Sequence, residues 1–228
     1  MTDRLSGSIL SVFAITVSCL AVGHAQPVQP TGQKAPMGFF VTSRGLGNGA
    51  DLGGLAGADR HCQALAAAAG SGARTWRAYL SQTGGGGVPA VHARERIGAG
   101  PWYNARGTLI AWNVADLHGD VQRDRNAVSK TDALDEQGRE VNGRGDTPNV
   151  HDILTGSDSH GRALLGRPDV TTCNNWASRT SGHAMVGHHD RVGGGNTSWN
   201  AVHMTAGCSQ EQLTSTGGAG LLYCFAID

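Results

Sequence analysis

Four cysteines, Cys62, Cys173, Cys208 and Cys224, limit what this chain can fold into more than any other feature. A fifth, Cys19, falls inside a mostly apolar run from Ile9 to Val22 (ILSVFAITVSCLAV). Arg4 precedes that run, and Gly23-His24-Ala25 follows it with small residues at the two positions a signal peptidase reads. Residues 1–25 therefore read as a secretory signal peptide, removed after Ala25 together with Cys19. The run is shorter than the roughly 18–20 residues of a spanning helix, so the mature chain is expected to carry no membrane span. Thr16-Val17-Ser18 lacks the Leu that a lipoprotein signal places before its Cys. A secreted or periplasmic chain with an even number of cysteines reads as two disulfides, with three pairings open. Thiolate metal ligation is the weaker reading, because no two cysteines stand as C-x-x-C.

Such cross-links suit the rest of the composition. Of 228 residues 35 are Gly, and five of the twelve aromatics are Trp. Many turns and irregular loops around a few large side chains are the expected result. Lys+Arg and Asp+Glu both total 18, which leaves no basic footprint for nucleic acid. Residues 26–37 hold three of the seven prolines and read as an extended linker, with the domain over 38–228. The patterns predict strands over 38–43, 76–81, 107–112, 152–157 and 221–227, and helices over 55–69 and 91–97. Residues 116–150 are polar and aperiodic, and read as a long surface excursion. Gly193–Gly195 reads as a glycine loop.

The cysteine frame carries a resemblance. GLAGAD (Gly54 to Asp59) leads into the helix with the first Cys, and TWRAYLS (Thr75 to Ser81) follows. TGSDSHGRALL (Thr155 to Leu165), TCNNWAS (Thr172 to Ser178), GCS (Gly207 to Ser209) and LLYCF (Leu221 to Phe225) come in that order. This set resembles the endostatin domain of collagens, which has the C-type-lectin-like fold, and is closer still to bacterial secreted lectin-like proteins. The resemblance spans Phe39 to the end. It implies an α+β, C-type-lectin-like fold with long irregular loops and two nested disulfides, Cys62–Cys224 outside and Cys173–Cys208 inside. Endostatin's zinc depends on an N-terminal His cluster, which has no counterpart before Phe39.

The resemblance also implies a non-catalytic recognition role for the loops between Cys173 and Cys208, with a glycan or a cell-surface or extracellular protein as partner. The ligand-binding candidates there are Trp199, Asn200, His188, Asp190 and Arg191. Trp199 is expected to be partly exposed and able to stack on a sugar face, with Trp76, Trp102, Trp112 and Trp176 in the core. Sugar-binding C-type lectins hold Ca²⁺ with a Trp-Asn-Asp. Trp199-Asn200-Ala201 lacks that carboxylate, and Thr147-Pro148-Asn149 lacks the acid of the other calcium motif. Imidazole with carboxylate suits zinc or another transition metal, and His188, His189, Asp190 and His203 are the candidate ligands. Adjacent histidines on a strand point to opposite faces, which counts against His188 and His189 acting together. A hydrolase using that group with a metal is the second functional class, and a structural envelope protein without a ligand is the third. No Gly-x-Ser-x-Gly, His-Glu-x-x-His or phosphate loop is present. Arg144-Gly145-Asp146 spells an adhesion tripeptide, which also reads as an Asx turn before Pro148.

Overall fold

The computed structural model describes residues 34–119, 126–192 and 198–228. Lys34–Asp228 forms one unit. The signal peptide, most of the linker and the Gly193–Gly195 loop lie outside the described residues.

The last strand organises the fold. β8 (Gly218–Ala226) pairs antiparallel with β1 (Phe39–Val41) and, over Cys224 to Ala226, with β2 (Trp76–Ala78). Its earlier half pairs parallel with β5 (Asp152–Leu154), which continues the sheet into β6 (Met185–His188) and β7 (His203–Met204). A separate hairpin joins β3 (Trp102–Tyr103) to β4 (Leu109–Ala111). The chain is thus α+β, with no closed barrel among the described residues. No helix in them is long and apolar enough to cross a membrane.

Side chains of a strand alternate faces, and β8 is covered on both. Leu222, Cys224 and Ala226 enter one core with Phe40, Trp76 and Trp176, while Leu221, Tyr223 and Phe225 enter the other with Phe39, Tyr79, Trp102 and Trp199. The first core is covered by α1 (Gly54–Ala68), whose buried stripe is Ala58, Cys62, Leu65 and Ala66. Small residues on that stripe let the helix sit close to β2, and Asp59 on α1 accepts the backbone N–H of Ala78 at 2.9 Å. Asp59 also takes both contacts of a paired Arg96 at 2.7 and 2.8 Å, which ties in α2 (Ala93–Arg96).

Both disulfides form in the nested pairing, Cys62–Cys224 and Cys173–Cys208. The outer one joins α1 to β8. The inner one joins the segment before α6 (Gln210–Ser215) to a left-handed turn, α5 (Cys173–Trp176), which follows the short helix α4 (Pro168–Thr171). All four residues of α5 have positive φ, between 47° and 67°. Asn174 and Asn175 suit this region, and Asn175 closes the turn by bonding Thr83 and Thr172.

Two expectations about the middle of the chain are corrected. Residues 116–119 and 126–150 are not a surface excursion: α3 (Val114–His118) opens the segment, and Leu117, Val128, Ala133, Leu134 and Val141 are buried. Backbone bonds stitch it to the strands, with the N–H of Val41 donating to Leu134 and that of Ala127 to Ile110, both at 2.8 Å. Among the described residues its scarce apolar side chains mostly point inward, and polar ones close turns. Trp112 is not core: it is 49 % exposed, because β4 ends at Ala111 and the chain turns outward toward α3.

Candidate functional site

Strand register builds a buried imidazole–carboxylate centre at one end of the sheet. Asp152, the first residue of β5, lies opposite His188, the last residue of β6. Val186, two residues before His188, lies opposite His203 at the start of β7. Period-two alternation therefore puts Asp152, His188 and His203 on one face. The Nε2 atoms of His188, His151 and His203 stand 3.0, 3.3 and 3.4 Å from Oδ1 of Asp152. The Nε2 atoms of His188 and His203 are 3.1 Å apart, and the His151 and His188 rings stack at 3.9 Å.

The rings are held from behind. His151 donates from Nδ1 to Oδ1 of Asp190 at 3.1 Å, and His203 donates from Nδ1 to the Met204 carbonyl at 3.0 Å. Asp190 also accepts the backbone N–H of Arg144. Each of these acceptors fixes a proton on Nδ1, so in the neutral ring Nε2 of His151 and His203 carries a bare lone pair.

The electrostatics follow from the crowding. Burial pushes the Asp152 carboxyl up, but the His188 and His203 imidazoles outweigh it and hold the group down at about 2. Burial likewise raises Asp190, and His151 and the Arg144 N–H bring it well below the usual carboxylate range. The Asp152 carboxylate in turn raises His203. Asp152 is 2 % exposed, whereas the His203 side chain is 37 % exposed and forms the one outward wall of the group.

Of the four residues predicted as metal ligands, the structure brings His188 and His203 to the centre and sets Asp190 behind His151. His189 turns the other way, as adjacent strand positions must. Its Nε2 lies 3.2 Å from the Asn142 carbonyl, and burial lowers its pKa. His151 and Asp152 were missed. Their signal was the His151-Asp152 pair at the head of a predicted strand, which matches the His189-Asp190 pair at the end of β6.

The remaining ligand candidates are framework. Trp199 is not exposed: it is 3 % accessible, packs on Tyr79 and Tyr223, and donates from Nε1 to the Leu117 carbonyl. The correction has a simple cause, since Leu117 in the missed helix α3 supplies the acceptor that the indole needs when buried. Asn200 is buried, giving its amide protons to the Tyr79 hydroxyl and the Asp158 and Ser159 carbonyls. Arg191 holds the carbonyls of Asn126 and Val128. In the adhesion tripeptide, Asp146 is paired with Lys130 and accepts the N–H of Gly143 three residues back, so it does not make the forward bond of the expected Asx turn.

A second feature lies beyond the sheet's edge. A cleft of about 600 Å³ opens between the Ser43–Gly47 turn and residues 139–150. Val141, Val150, Ala219 and Leu221 give it an apolar floor, and Arg44, Arg139, Glu140 and Gln210 give it a polar rim. No protein-family model matches the chain, and no curated protein is similar to it.

Proposed function

We propose that this chain is an exported, non-catalytic recognition module of C-type-lectin-like, endostatin-like architecture, and that it takes a glycan or a surface protein in the Ser43–Val150 cleft. The cleft carries this reading. A concave site of a few hundred Å³ with an apolar floor and a few convergent polar groups is the usual form of a ligand site. Arg44, Arg139, Glu140 and Gln210 supply donors and acceptors at the rim, and Val141, Val150 and Leu221 supply contact for the C–H face of a sugar or for an apolar side chain. The nested disulfides support an oxidising compartment, secreted or periplasmic, and the order of motifs around them supports the lectin-like architecture.

A hydrolase working through the histidines is the weaker reading. Asp152, His151 and His188 are buried, which leaves a substrate little access, and His189 is turned away. A glycan array probed with and without EDTA tests the lectin form of the proposal. Binding that is lost in Val150→Glu, with unchanged thermal stability, is the expected result. Absence of binding in both conditions removes the glycan. A photo-crosslinker at Arg139 that labels no envelope or extracellular protein then removes the surface partner as well.

A further inference from the structure

We infer that Asp152, His188 and His203 form a structural binding site for one divalent transition-metal ion of the zinc class, clamping β5, β6 and β7 together. The site is separate from the cleft and stands whether or not the cleft binds a ligand.

Spacing is the first support. Imidazole nitrogen and carboxylate oxygen bind zinc at about 2.0–2.1 Å, so neighbouring ligand atoms of a tetrahedral site stand about 3.3 Å apart. The Nε2 atoms of His188 and His203 lie 3.0 and 3.4 Å from Asp152 Oδ1 and 3.1 Å from each other. Three donor atoms, each at the separation of one coordination shell from the other two, come from residues far apart in sequence.

Asp152 supplies an independent observation. It is 2 % exposed, and neither of its carboxylate oxygens has a hydrogen-bond partner among the described residues. The imidazole nitrogens approach Oδ1 closely but not with hydrogen-bond geometry. An ionised buried carboxylate without hydrogen bonds costs several kcal/mol unless a cation lies beside it. A dication held between Asp152 and the Nε2 atoms of His188 and His203 would satisfy the carboxylate.

Orientation is the third support. Metal-bound histidines almost always give their other N–H to a carboxylate or a carbonyl. His203 gives Nδ1–H to the Met204 carbonyl, and His151 beside the site gives it to Asp190. Both leave Nε2 facing inward. Without a metal, the Nε2 atoms of His188 and His203, 3.1 Å apart, would need a proton between them. Nitrogen-rich donors select zinc, copper or nickel over calcium, which takes six to eight oxygens.

The test uses the oxidised chain, produced without a histidine tag and stripped with EDTA. Zn²⁺ alone is then added and followed by calorimetry, by metal analysis after dialysis, and by thermal unfolding. One ion per chain and a raised unfolding temperature reversed by EDTA are expected. Co²⁺ should give the visible absorption of a tetrahedral nitrogen-rich site. His203→Gln, at the half-exposed ligand, keeps the fold while weakening Zn²⁺ at least ~10-fold. No uptake by the unaltered chain overturns the site, as does uptake that His203→Gln and His188→Ala leave unchanged.

Discussion

His151 and Asp190 meet at 3.1 Å, Nδ1 to Oδ1, and the same carboxylate takes the Arg144 backbone N–H. Asp190 therefore ties the head of β5 to the loop of residues 143–146. Asp190→Asn keeps the shape and removes the charge. The variant is expected to lose about 1.5–3 kcal/mol in denaturant unfolding, because charge-assisted bonds in a buried setting are the ones lost. Measured in EDTA, this loss is independent of any bound ion.

Gly187 lies under the Trp199–Asn200 backbone. A Cβ there would stand 1.9 Å from the Trp199 carbonyl oxygen and 2.4 Å from Asn200 Cα. The absence of a side chain lets that segment lie directly on β6, and the same close approach brings His203 to His188. Gly187→Ala must push β6 and the segment apart. About 1–3 kcal/mol of destabilisation is expected from such overpacking. A shifted denaturant midpoint together with altered His203 imidazole resonances would show both consequences.

That four cysteines form two disulfides, and the outer frame of the fold, were legible from the residues themselves, whereas the nested pairing followed only from the resemblance. The helix of residues 55–69, the strand before Ser43 and the C-terminal strand have strong local patterns, and the structure places elements at Gly54–Ala68, Phe39–Val41 and Gly218–Ala226. β6 had no such pattern. Met185-Val186-Gly187-His188 becomes a strand because Asp152–Leu154 pairs with it, and that partner is far away in sequence. The centre was half legible for the same reason. His188 and Asp190 stood out by density, whereas Asp152 joins them only through register. One readable signal was missed: Ser209-x-x-Gln212 is a capping box, with both reciprocal bonds present at the start of α6. Residues 116–150 misled because a buried segment with few apolar residues, held by backbone bonds to the sheet, looks from composition like a loop.

The two disulfides close spans of very different length, 162 residues for Cys62–Cys224 and 35 for Cys173–Cys208. On the chain-entropy model the outer link contributes about 5 kcal/mol and the inner about 4 kcal/mol. Paired Cys→Ser replacement avoids leaving a free thiol. The Cys62→Ser/Cys224→Ser chain is expected to melt lower than Cys173→Ser/Cys208→Ser in calorimetry, because it frees almost the whole domain in the unfolded state. The reverse order would mean that the left-handed turn at Cys173–Trp176 depends on its disulfide more than the sheet depends on the outer one.

Alkaline pH addresses the second core. Tyr79 and Tyr223 are fully buried, and burial raises both phenols above their ordinary value. Both hydroxyls act as donors. His118 spends its Nδ1–H on the Val114 carbonyl at 2.8 Å, so its Nε2 accepts from Tyr79 at 2.7 Å, and Tyr223 donates to the Trp199 carbonyl at 2.7 Å. Ionisation would remove the donor and place a charge in an apolar core. Above pH about 10 the unfolded chain releases these protons while the native chain keeps them, so stability is fully present below that pH and falls above it. Each phenol contributes a slope of about 1.4 kcal/mol per pH unit, giving about 2–3 kcal/mol per unit for the pair. Denaturant midpoints measured from pH 8 upward should stay flat and then drop. Tyr223→Phe should roughly halve the drop, and phenolate absorbance from the buried pair should appear only as the chain unfolds.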